Sequence, residues 1–208
     1  MTDRDPDDRS SELPLVGAQR ERADARRNRR RILEAAAQLV DERGIDGVTM
    51  EEVAARAGVA KGTVFHRFGS RAGLAQALVD QSERELQEAV LHGPPPLGPG
   101  AAPGERLGAF LEALLELVID KLDLLLVSDY GHPGQRFETG AYRGWVWHAA
   151  LLLREAGLDD LSPGLAHGVL APLAADLVQH RLAEGATTEE LKAELARLAR
   201  TVVRSGGG

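Results

Sequence analysis

Residues 60–71 read AKGTVFHRFGSR. Lys61, Thr63, Phe65, His66 and Arg67 stand close together beside Gly62, and the segment offers little apolar surface to bury. These are groups that meet a polyanion. An ammonium takes a phosphate oxygen, and a guanidinium reads guanine through two parallel hydrogen bonds. A glycine in the first turn of a helix lets backbone N–H groups approach a phosphate, and the helix dipole reinforces that attraction. The chain as a whole is acidic, with a formal net charge of -7. The acidity is unevenly spread: residues 1–19 carry -3, residues 20–74 carry +4 and residues 75–208 carry -8. Counter-ion release needs local positive charge, so contact with a polyanion is expected of the first third alone. Just upstream, QRERADARRNRRR (residues 19–31, including Arg30) sets seven arginines against two acids. Such a block is either an arm that reaches phosphates or the minor groove, or the solvated start of a helix.

Other chemistries find less support. Asp129, His132, Glu138 and His148 match no compact ligand spacing, such as two histidines four apart on one helix face. No nucleophile stands on a glycine-flanked turn. The chain has no cysteine, which excludes disulfides, thiolate-bound metals and cysteine nucleophiles and fits a reducing cytoplasm. No catalysis, cofactor or metal is expected, and His167 and His180 read as structural histidines. The polar N-terminal stretch MTDRDPDDRSSELPLVG predicts no export signal, and no run is apolar enough to predict a membrane span.

The elements that must position the basic segment can be read from periodicity and caps. Residues 1–20 lack periodicity and read as a tail. Ile32, Leu33, Ala36, Leu39 and Val40 predict a helix over 24–42, closed by Gly44. Thr49 and Glu52 form a T-x-x-E capping box for a helix over 50–57, which Gly58 ends. A second short helix, Lys61 to Phe68, follows after a tight turn, with Ala54 and Val64 between the two: a helix-turn-helix, with residues 21–69 as its domain. A helix from Ser70 runs to the prolines of LHGPPPLGPG. Beyond it, periods near 3.6 predict helices at about 104–119, 121–129, 141–156, 162–184 and 188–204, with Pro172 bending or splitting the fourth of these. The fold class is all-α, with about nine helices and a second domain over 70–208.

The stretch TMEEVAARAGVAKGTVFHRFGSRAGL, Thr49 to Leu74, resembles the signature of TetR-family transcriptional regulators. The resemblance implies a two-fold dimer that binds double-stranded DNA at an operator and usually releases it on binding a small molecule. Carried over position by position, it makes Lys61 to Phe68 the recognition helix. Gly62 and Thr63 would stand near the edge of the major groove and Lys61 near phosphate. Phe65, His66 and Arg67 would lie along the groove, with Thr49 and Arg71 holding the backbone on either side. The sequence departs from the family pattern in three places: Ala60 replaces a serine N-cap, Phe65 a tyrosine, and Gly73 the acidic capping partner of Ser70.

Five of the eight aromatic residues (Tyr130, Phe137, Tyr142, Trp145 and Trp147) fall within 130–147. Together with the resemblance, they suggest an apolar effector pocket for which Phe110, Leu114, Asp129, Tyr142, Trp145 and His148 are candidates; a plain helical core is the other reading. The last two predicted helices carry the stripes Leu165, Val169, Leu173, Leu177 and Leu191, Leu195, Leu198, Val202, expected at a homodimer interface. The resulting expectation is a cytoplasmic, ligand-released repressor of a palindromic operator. A ligand-dependent activator, or a small-molecule-binding helical protein with little role on DNA, are the alternatives.

Overall fold

The computed structural model of the chain describes residues 14–129, 134–159 and 162–204. The described residues contain eleven α-helices and no strand. The chain divides between Leu74 and Ala75 into two compact units.

In the first unit, α1 (Pro14–Arg43) is 30 residues long. It begins ahead of the expected start and takes residues 14–20 out of the tail. Periodicity misses this turn because it carries no apolar stripe, while Ala18, Gln19, Arg20 and Glu21 have the intrinsic propensity to extend a helix. Ile32, Leu33, Ala36 and Leu39 are buried along its inner face. A short 3-10 turn (Ile45–Gly47) leads to α2 (Met50–Ala57). The Thr49 hydroxyl accepts from the Glu52 N–H at 3.3 Å, and the Glu52 carboxylate accepts from the Thr49 N–H at 3.0 Å, which completes the expected capping box. Gly58 then turns the chain at φ 63°, ψ 40°, in the left-handed region. A Cβ there would lie 2.9 Å from Nη2 of Arg31, the same nitrogen that donates to the Ala57 carbonyl at 2.6 Å.

The turn delivers α3 (Lys61–Phe68), whose one buried side chain is Val64 at 0 % exposure. α3 packs on α2, in which the small residues Ala54 and Ala57 are buried. Ala60 caps α3 with no side-chain hydrogen bond, as its methyl group requires. α4 (Arg71–His92) begins with Ser70 accepting from the Gly73 N–H at 3.2 Å. Gly73 is a steric requirement: a Cβ at this position would lie 2.0 Å from the Phe68 carbonyl oxygen. An acidic capping partner could not be accommodated there.

In the second unit the core is built on α5 (Pro103–Asp120), which opens with proline in its first turn and buries Leu107, Phe110, Leu111 and Leu115. α11 (Thr188–Arg204) packs along α5. α6 (Leu122–Asp129) and the single-turn α7 (Gln135–Glu138) precede α8 (Gly140–Glu155), whose first turn is capped by Thr139 accepting from Tyr142 N at 3.1 Å. α8 packs on α9 (Ser162–Leu170). The helix expected over 162–184 is split, as Pro172 predicted: a 3-10 turn at Ala171–Leu173 separates α9 from α10 (Ala175–Ala183). This split and the short α7 account for eleven helices where nine were expected. No described helix is long and apolar enough to cross a membrane.

His148 is 5 % exposed, its ring meets Phe110 edge-on at 4.9 Å, and Nε2 has no hydrogen-bond partner. Burial, helped by the charge of Arg106, lowers its pKa to about 4.

Two outcomes follow from these environments. Gly58→Ala forces a methyl group into the left-handed region and should destabilise the chain by about 1–2 kcal/mol in urea unfolding; an unchanged midpoint would mean that the turn tolerates a side chain. His148 is neutral when folded, whereas the unfolded chain takes up a proton near pH 6.5, so it draws stability away as the pH falls from about 6.5 towards 4. His148→Phe should flatten that part of the stability profile, read as the thermal midpoint against pH.

Candidate nucleic-acid interface

Around the buried Val64, α3 leaves Gly62, Phe65, His66 and Arg67 exposed, with Gly62 and His66 on the side opposite Val64 and Arg67 on its flank. Phe65 is 39 % exposed, a large apolar ring left outside the core. An added Cβ at Gly62 would meet nothing within 4 Å, so the space beside its Cα is open. His66 and Arg67 are exposed and have no ion pair among the described residues. Thr63 is half-buried.

The flanking residues are less free than the sequence suggests. The Lys61 ammonium pairs with the Glu51 carboxylate of α2 and lies 5.5 Å from the Phe65 ring centre. The hydrogen bond from Lys61 holds the Glu51 carboxyl below its ordinary pKa. Sequence reading missed Glu51 because the two residues meet only after the Gly58 turn folds one helix back on the other. Thr49 is exposed, but its hydroxyl serves the capping box, and the hydrogen bond from that hydroxyl is the main reason the Glu52 carboxyl is held low. Arg71 is tied to the 3-10 turn, with Nη1 3.2 Å from the Asp46 carbonyl and Nη2 3.1 Å from its carboxylate.

The arginine block of α1 is largely occupied within the first unit. Arg31 holds the Ala57 carbonyl, the Arg29 guanidinium stands 5.7 Å from the Phe68 ring centre, and Arg27 pairs with Asp24. Arg30 has a 3.4 Å contact to Glu34, and its side chain stays 74 % exposed. The arginines that carry the net charge of this segment therefore also hold it together.

In the second unit a cavity of about 380 Å³ opens among α4, α5, α7, α8 and α9. Of the expected residues Leu114, Tyr142 and Trp145 line it. Phe110 and His148 stand behind the wall, Phe110 at 5.7 Å from the Trp145 ring centre. The Asp129 side chain, with Tyr130 and His132, lies outside the described residues. Sequence reading missed Arg136, Thr139 and His167 on the lining. His167, read as merely structural, meets the Tyr142 hydroxyl at 3.0 Å through Nδ1. Nothing in the spacing of residues 142 and 167 reveals that pair before α8 and α9 pack.

Four of the eight residues assigned to a dimer interface serve the core of the single chain. Val169, Leu173, Leu191 and Leu195 are buried within it, and Leu173 also lines the cavity. Leu165, Leu198 and Val202 are partly buried against that core, while Leu177 is 41 % exposed. The first stripe runs over α9, the 3-10 turn and α10, and the second along α11, which packs on α5.

The family model for bacterial regulatory proteins of the tetR family matches residues 32–78, which run from mid-α1 through α3 into α4. An HTH-type transcriptional regulator of Staphylococcus aureus (strain USA300) is 29 % identical over 121 residues, 58 % of this chain. The chain spans 64 % of the length of that relative. A transcriptional regulator from Rhodococcus sp. Rha1 superposes with a TM-score of 0.64 at 19 % identity, covering 86 % of this chain and 98 % of the other. A TetR/AcrR-family regulator from Thermobifida fusca superposes at 0.61 with 22 % identity, covering 82 % and 95 %. The matched segment holds the Gly58 turn and the whole of α3: residues 32–78 are similar to bacterial regulatory proteins of the tetR family, and the likeness in helical fold extends over most of the chain.

Proposed function

We propose that the chain is a homodimeric transcriptional regulator, a repressor that holds a palindromic operator through α3 and releases it when a small ligand enters the cavity of the second unit. The observation that carries this reading is the outer face of α3. An eight-residue helix buries one side chain and leaves an aromatic ring, a histidine and an unpaired arginine in solvent. Arginine and histidine are ordinary on a surface, but here they stand with an exposed aromatic ring on one short helix, and together their types match base edges and phosphates. Arg67 is the base-reading residue in this account. Lys61 and Arg30 neutralise phosphates, Lys61 by exchanging the Glu51 carboxylate for a phosphate. Gly62 admits the DNA backbone to the start of α3.

For release, the division between the units falls inside α4, whose first turn belongs with α3 and whose Gln76 and Glu83 line the cavity. A ligand that prefers a different setting of α4 shifts the population away from the DNA-binding form. A preference of about 1–3 kcal/mol suffices for a typical regulatory coupling. In a homodimer, the partly buried and exposed residues Leu165, Leu177, Leu198 and Val202 are those of the two stripes left to meet a second copy.

Gel shifts on DNA from upstream of the protein's own gene test the reading, because binding must weaken steeply as salt rises. Arg67→Ala should lower the preference for operator over scrambled DNA by about 1–3 kcal/mol. Lys61→Ala should weaken all sequences alike and reduce the salt slope by about one. Equal effects from the two variants would remove the division of roles, and the absence of salt-sensitive binding would remove the DNA reading.

A further inference from the structure

The effector cavity of the reading above has two chemically different sides, and their difference constrains what fits. From α5 and the last residue of α9 come Leu114, Val118 and Leu170, an aliphatic surface. From α7 and α8 come Phe137, Tyr142 and Trp145. Phe137 and Tyr142 stand edge to face at 5.0 Å, and Phe137 is 47 % exposed, so the aromatic side extends to the surface. Aliphatic side chains opposite aromatic ones favour a flat ring system, which contacts both over its full area.

The polar groups that border the aromatic side, Arg136 of α7, Tyr142 of α8 and His167 of α9, are rich in donors. Arg136 has a guanidinium 4.6 Å from the Phe137 ring centre. Its recorded ion pair runs from Nη1 to the Asp176 carboxylate at 3.5 Å, and Asp176 is 80 % exposed, so the pair is long, solvated and weak. Most of the five donors of the fork remain for another acceptor. Beside it, the Tyr142 hydroxyl meets His167 Nδ1 at 3.0 Å. If tyrosine donates, the histidine keeps an N–H at Nε2; if the ring donates, the tyrosine keeps its O–H. Either tautomer leaves the pair one unused donor. Glu83, the carboxylate on the lining, is already engaged within the protein.

We propose that the cavity takes a flat apolar acid: a fused or substituted aromatic ring system held between the α5–α9 and α7–α8 sides, its carboxylate received by Arg136 and the Tyr142–His167 pair. The assignment rests on the effector reading for its location, but its chemistry follows from the lining alone.

The test compares three probes of one shape on the full-length chain: 2-naphthoate, 2-naphthamide and 2-naphthylmethylammonium. Binding is read by calorimetry and by the thermal midpoint. 2-Naphthoate should bind best, and Arg136→Gln should weaken it about tenfold or more while leaving the amide nearly unchanged. Arg136→Lys, which keeps the charge without the fork, should recover part of the loss, and Tyr142→Phe should cost the acid more than the amide. A cation that binds best and loses affinity in Glu83→Gln, equal binding of all three probes, or no binding by any would each overturn the proposal. Gel shifts with the same probes separate the two readings. An acid that binds through Arg136 yet leaves the DNA complex intact supports the ligand class and removes the release mechanism. Failure of all probes removes the ligand class and leaves DNA binding by α3 standing.

Discussion

The first unit depends on a turn in which the chain reverses with almost nothing to spare. Gly58 takes a conformation that other residues adopt only at a cost, and the Arg31 guanidinium closes over it to hold the Ala57 carbonyl at the end of α2. With that carbonyl satisfied and the turn set, Val64 drops under α3 and its remaining side chains face outward. Burying Val64 and turning Phe65 and His66 outward are therefore one event, fixed by the step of ~100° per residue along the helix and by the direction in which the turn delivers the chain. The polar face of α3 depends on an apolar contact made beneath it.

Arginine has two roles in this region, which explains how a basic segment folds compactly. Arg29 and Arg31 lend their planar groups to a ring face and a carbonyl, and Arg56 grips the Glu42 carboxylate with both of its terminal nitrogens, at 2.5 and 3.0 Å. Pairs of this kind, exposed to water, add little stability individually. Together they offset the mutual repulsion of a segment carrying +4. The segment keeps its net positive charge and remains a folded domain.

The helix-turn-helix was legible in the sequence because each of its parts has a local cause. The capping box needs residues three apart, the turn needs a glycine, and the plug needs an apolar residue at a fixed offset. Pro172 was legible for the same reason, since a missing N–H acts on its own helix. Contacts between elements distant in sequence were not. The Glu51–Lys61 pair, the Arg71–Asp46 tie and the Tyr142–His167 bond arise only when helices pack, and none has a spacing that predicts it. Periodicity found the apolar faces of the two stripes without revealing that Val169, Leu173, Leu191 and Leu195 are buried within the single chain. The first turns of α1 were missed for the opposite reason: helix-forming side chains without an apolar stripe leave no periodic trace.

The glycine at position 73 has a further consequence. With the Phe68 carbonyl packed where its side chain would begin, the end of α3 and the start of α4 meet backbone to backbone, without a cushion of rotatable atoms. A joint of that kind cannot absorb displacement by side-chain repacking. Within the first unit, a change in the angle between α3 and the first turn of α4 must therefore be taken up by the backbone of the Gly69–Ser70 link and not by side chains between the two helices.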